Sequence, residues 1–239
     1  MEATNNNQHV LRLGFYSAVL LTVFTLISFV LGMMAVPPAG PYCPGDCMEY
    51  PYLNSLDHYP HDYYWMYVSV FQLMIYLVFM ISVYFAAPPE IKIYGFIGVA
   101  LAIITVMVLL ADYFVQFTVV PVSLMKGETD GIALLTQYNG NGLFIALEEL
   151  GYILMGLSFL CMAPLFSKAN KLELALRRIL ALPVLLILLF FLYYAFRYGI
   201  ERSYRFEVAA IGVDWMALIV VGILAALFFK NKLRLHQIH

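Results

Sequence analysis

Residues 94–120 read YGFIGVALAIITVMVLLADYFVQFTVV, with Asp112 as the only charged side chain among them. A helix rising 1.5 Å per residue crosses the ~30 Å hydrocarbon core in about 20 residues, so this stretch reads as a transmembrane span. Five further stretches share its character: Leu13–Val36, Tyr63–Ala87, Gly142–Phe166, Ile179–Phe196 and Val208–Phe229. The punctuation between them agrees. Pro37–Pro38 and Pro88–Pro89 follow the first two, Pro121 closes the third, and Asn139-Gly140-Asn141-Gly142 is a turn signal opening the fourth. Pro164 and Pro183 fall inside spans, where local kinks are expected.

The expected fold is therefore all-α, a polytopic membrane bundle of six transmembrane helices in a single domain over residues 1–239. Composition points the same way. The chain is 63% apolar and 12% charged, with mean hydropathy +0.85, against about half apolar and about a quarter charged in an ordinary soluble domain. The run from Leu13 is longer than the ~7–15-residue core of a signal peptide, so it reads as a retained first span. Net charge is −2 with a pI near 6.2, which argues against a nucleic-acid partner. The chain has no phosphate-binding glycine loop, no H-E-x-x-H helix and no G-x-S-x-G elbow.

Basic residues set the expected orientation. One side of the spans carries Arg12, Lys92, Lys168, Lys171, Arg177, Arg178, Lys230, Lys232 and Arg234. The other carries Lys126, Arg197, Arg202 and Arg205, and residues 37–62 hold no Lys or Arg. The first side is then cytoplasmic with both termini, in the cell membrane, and residues 37–62 form an external loop. Small-residue pairs at Gly14-xxx-Ala18, Gly98-xxx-Ala102 and Gly222-xxx-Ala226 mark places where helix backbones can approach closely.

The external loop is rich in Pro and Tyr. Its aromatic rim reads as an interfacial belt, or as a lid over a pocket. Cys43 and Cys47 are expected to form a disulfide in an oxidising exterior. A zinc site with His58 and His61 is the alternative, at spacings short of the usual finger pattern. Cys161 reads as a small buried apolar residue. No metal or other cofactor is expected. His9, His236 and His239 fall in the terminal tails and read as surface.

Ionisable groups inside spans are rare and mark function by default. Counting from the span ends at 1.5 Å per residue, Asp112 lies ~13 Å deep, Glu148 and Glu149 ~9–10 Å, Asp214 ~10 Å and Gln72 ~13 Å. Gln116 lies one turn outward from Asp112, and Ser28 falls at a similar level. All share the external half of the bundle. Glu148 and Glu149 are about 100° apart on a helix and cannot face one partner, while Tyr152 lies one turn from both. Arg197 is the expected counter-charge for one carboxylate. Four acids against one base imply that some are protonated or hold a cation. Asp112 is expected to face Glu148 or Glu149.

The layer Asp112, Gln116, Glu148, Glu149, Tyr152, Asp214, Arg197 and Gln72 is thus the candidate ligand or ion site. It suits a proton, a small cation or a cationic amphiphile, bound or transported, with lipid as surroundings and a homodimer as a possible assembly. An intramembrane enzyme using paired carboxylates on a lipid or isoprenoid, with Tyr113 or Tyr152 as auxiliary donor, is the second reading. No nucleophile with an adjacent base is visible for hydrolysis. An accessory or sensor subunit is the third.

Overall fold

A computed structural model of the chain describes residues 2–35 and 37–238. Val36, the end of the first apolar stretch, and His239 lie outside them, as does the side chain of His236. The described residues are helical and contain no strand. The helices are α1 (Glu2–Met34), α2 (Tyr64–Ala86), α3 (Lys92–Thr118), α4 (Val120–Met125), α5 (Ile132–Leu135), α6 (Leu143–Met162), α7 (Lys171–Tyr198) and α8 (Ser203–Ile238). Six of them (α1, α2, α3, α6, α7 and α8) are long and apolar enough to cross a membrane.

Local chemistry sets the ends. α1 and α2 stop just before their Pro-Pro pairs, and Pro121 sits in the first turn of α4, where its missing N–H is no loss. Pro164 does not kink a span. It lies in a 3-10 turn, Ala163–Leu165, that terminates α6. Pro183 lies within α7. That helix is capped at its start by Asn170, whose side chain accepts from the Glu173 backbone N–H at 2.9 Å. It ends at Gly199, where φ is +60°. Only glycine adopts this conformation cheaply, and it lets the chain turn within four residues into α8.

α1 packs between α2 and α8, α3 packs against α6, and α7 lies against α8 and α6. Each small-residue pair named above is used. A Cβ on Gly14 would run into the Phe229 ring, and one on Gly222 into the Thr22 side chain and, at 2.9 Å, the Ala18 carbonyl. One on Gly98 would press on Met162 at 3.1 Å. These contacts join the halves of the helices remote from the loop at residues 37–62. At the loop end the helices separate around a cavity.

Candidate functional site

The cavity holds about 390 Å³, near the lower end of the ~300–1,000 Å³ usual for small-molecule sites. Glu148 of α6, Glu207 of α8 and Asp62 at the loop end reach its wall, which otherwise combines aromatic rings, among them Trp65, Trp215, Tyr204 and Phe144, with aliphatic residues such as Ile145 and Ile211. Among the described residues no Lys or Arg lines it. Both tryptophans of the chain stand in this wall, edge to face with centroids 6.0 Å apart.

Glu148 is the best-connected acid. Tyr113 of α3 donates its phenol hydrogen to Glu148 Oε1 at 2.9 Å, and the Tyr113 and Tyr152 hydroxyls are 2.9 Å apart. Trp215 Nε1 lies 3.2 Å from the Tyr152 hydroxyl. An indole N–H can only donate, and each phenol has one hydrogen. The direction of the run is therefore settled. Trp215 donates to Tyr152, Tyr152 to Tyr113, and Tyr113 to Glu148, so that every dipole in the run points at the Glu148 carboxylate. On its other side Glu148 is hydrogen-bonded to the carboxyl of Glu207. Two carboxyl groups bond only through a proton, so at least one is protonated, and the Tyr113 hydrogen bond to Oε1 favours the charge on Glu148 and the proton on Glu207.

The remaining acids take different places. Asp112 is buried one residue before Tyr113 and close enough to Glu148 to feel its charge, but it does not line the cavity, and its Oδ2 has no partner among the described residues. Asp214 is fully buried, and neither of its oxygens finds a partner among the described residues. It sits within electrostatic reach of Tyr76 and Tyr152. Tyr76 is hydrogen-bonded to Ser158. Gln72 and Ser28 are buried and likewise lack partners among the described residues.

Gln116 ties the helix ends to the loops. It donates to the Tyr63 hydroxyl at 3.1 Å and accepts from the Gln137 backbone N–H at 2.9 Å. Glu149 faces away from Glu148, as the ~100° between neighbours requires, and pairs with Arg202 at 2.9 Å. Arg197, expected to counter a carboxylate, is exposed and lies over the ring of its neighbour Tyr198. The reason is positional. Gly199 turns the chain after Arg197, so the base carried back over α6 is Arg202. Tyr152 meets neither glutamate directly and reaches Glu148 through Tyr113.

Residues 37–62 cap the cavity. Tyr42 packs on Tyr204 with centroids 6.1 Å apart, and Tyr138 donates to Asp62 Oδ2 at 3.0 Å. Burial, reinforced by nearby Tyr63 and Asp62, holds the Tyr138 phenol well above its ordinary pKa, so it stays a donor. Cys43 and Cys47 sit at disulfide distance, Cα atoms 5.9 Å apart. His58 approaches Asp62 at 3.6 Å, and His61 packs on Tyr64. No three His, Cys, Asp or Glu among the described residues are grouped to hold a metal ion.

Glu207 and Trp215 were not singled out in the sequence. Glu207 stands at the edge of the apolar stretch, yet α8 begins at Ser203 and makes it a buried residue one turn inside the helix. The available signal was the spacing of Glu207, Ile211 and Trp215, each four residues apart and so on one helix face. No protein-family model matches the chain, and no curated protein or solved structure matches it.

Proposed function

We propose that the chain is an integral membrane protein that binds, and by that means transports, an organic cation in an outward-facing chamber. The observation that carries this reading is the pairing of Glu148 with an aromatic-rich wall in which no Lys or Arg stands among the described residues. Four hydrogen-bond donors, three in series and one from Glu207, stabilise a negative charge on Glu148 in a largely apolar cavity. Aromatic faces attract the positive charge that would neutralise it, by about 0.5–2 kcal/mol per ring. The ligand is then a monovalent cation with an apolar body, such as a quaternary or protonated amine. The apolar lining favours it over a metal ion. A through-going proton relay is less well supported, because the run ends at an indole N–H that cannot accept a proton. The basic-residue bias supports cytoplasmic termini and an external cavity mouth.

Glu148 and Glu207 have unequal roles in this scheme. Glu148 holds the charge. Glu207 supplies a donor, which a glutamine amide can replace. Protein in a neutral maltoside detergent, titrated with tetraethylammonium and read by the fluorescence of Trp65 and Trp215, tests this directly. Glu148→Gln should weaken binding at least about tenfold, or about 1.4 kcal/mol, while Glu207→Gln keeps it within about threefold. Protons compete for the same carboxylate, so binding should weaken as pH falls. Equal losses in both variants, or affinity that rises on acidification, would sink the proposal.

A further inference from the structure

We infer that the cavity is entered sideways from the lipid, through a slot between α1 and α8, and that its ligand is a single-tailed cationic amphiphile. The inference rests on the cation reading above and adds the route and the hydrocarbon tail.

The slot is visible in residues that belong to two surfaces at once. Met33 of α1 and Val208 of α8 line the cavity and are also 72% and 43% exposed. Both are on helices apolar enough to lie in a membrane, so their outer faces meet lipid tails. Between them stand Gly32, Ile211 and Gly212, which line the cavity too. A Cβ added at Gly212 would meet nothing within 4 Å, and one at Gly32 would only touch the Trp215 ring at 3.5 Å. The same two helices are in hard contact further along, where Gly14 meets Phe229 and Gly222 meets Thr22. Glycines there close the pair, whereas Gly32 and Gly212 leave it open.

The chemistry of the rim fits a tail. It carries no charge and no hydrogen-bonding side chain, so it offers water nothing and matches the hydrocarbon of a tail. Glu207 and Gly212 are five residues apart on α8, or ~7.5 Å along its axis. One molecule can therefore place an ammonium at Glu148 and Glu207 and lead its chain out through the slot. A cavity of about 390 Å³ takes such a headgroup and the first methylenes. A longer chain has to leave it. The loop-side exit is the more obstructed, since Tyr42 packs on Tyr204 and Tyr138 is bonded to Asp62.

Gly212→Leu places a side chain in the slot, starting from a position where a Cβ meets nothing within 4 Å. In neutral maltoside detergent, with tryptophan fluorescence as readout, it should weaken dodecyltrimethylammonium binding at least about tenfold, or about 1.4 kcal/mol. Tetraethylammonium, which has no tail to accommodate, should lose much less, so that the ratio of the two affinities falls at least about fivefold. Thermal unfolding reports whether the variant is folded. Should it not be, Val208→Phe narrows the slot from an exposed position and carries the same comparison. Loss of both ligands in parallel, or of neither, overturns the lateral route and leaves the carboxylate site standing. Failure of the unsubstituted protein to bind either ammonium removes the cation reading itself, and the route with it.

Discussion

The two ends of the α1–α8 pair use glycine for opposite purposes. Remote from the loop, Gly14 and Gly222 lie where any side chain would enter Phe229, Thr22 or the Ala18 carbonyl, so their role is close approach. Near the loop, Gly212 has empty space where a side chain would go, and that space belongs to the cavity. One helix pair is thus locked at one end and parted at the other. Without a hydrophobic force between helices in lipid, packing of this kind holds the bundle together. The locked end can supply it while the parted end keeps its vacancy.

The largest effect should come from erasing that difference at its locked end. Gly222→Leu has to push aside both a side chain and a carbonyl, and over-packing of this kind destabilises by about 1–3 kcal/mol. Gly212→Leu, the same substitution ten residues earlier, starts into open space, since a Cβ there meets nothing within 4 Å. Parallel thermal unfolding in detergent should show a clear drop for the first and little change for the second. Equal drops would mean that the loop end is packed as tightly as the other, and the slot would not exist.

Six apolar stretches bounded by Pro-Pro pairs and a turn signal were enough to foresee six long helices, because crossing hydrocarbon constrains length and composition together. The burial of three of the acids was foreseeable for a related reason. Depth is a one-dimensional quantity that residue counting yields, and Asp112, Glu148 and Asp214 are all buried. What counting cannot supply is azimuth and neighbour. It could say that Glu148 and Glu149 diverge by about 100°, but not that the first would meet Glu207 and the second Arg202. The partner of Glu149 depended on where Gly199 turns the chain. Glu207 went unnoticed because hydropathy places a span's edge where charge appears, whereas α8 starts a turn earlier. The cavity wall was the least legible part. Trp65 and Trp215 are 150 residues apart and meet only once α2 and α8 are brought together.

A second comparison, within α6, gives the next prediction. Glu148 faces an acid, and Glu149, its neighbour, faces a base. In the Glu149–Arg202 pair the side chains are only 12% and 23% exposed, so the pair is intermediate between surface pairs worth ~0–1 kcal/mol and buried ones whose breaking costs ~3–5 kcal/mol. Arg202→Gln should therefore destabilise by about 1–2 kcal/mol, by leaving Glu149 half-buried without a counter-charge. Adding Glu149→Gln should restore most of that loss, since it removes the stranded charge. A double-mutant cycle in thermal unfolding measures the coupling. Additive losses would mean that Arg202 acts through its contacts with the rings of Phe191 and Phe206 rather than through Glu149.

The smallest effect separates the two arginines that flank Gly199. Arg197 lies in the last turn of α7, exposed, with its guanidinium 5.3 Å from the centroid of the adjacent Tyr198 ring. An exposed cation over a ring contributes about 0.5–1 kcal/mol at most. Part of that returns when a substituted side chain packs on the same ring. A cation near a helix C-terminus adds a few tenths more, which salt screens. Arg197→Gln should therefore change stability by about 0.5 kcal/mol or less, within the range of ordinary surface substitutions. It should leave tetraethylammonium affinity unaltered, because Arg197 reaches neither Glu148 nor Glu207. The contrast with Arg202→Gln is the sharpest check on the turn at Gly199, since both changes remove one positive charge from positions five residues apart. If Arg197→Gln destabilised the protein as much as Arg202→Gln does, or shifted the pH dependence of cation binding, Arg197 would be a partner of the buried carboxylates after all. The exit of α7 would then have to run closer to α6, and the assignment of Arg202 to Glu149 would fall with it.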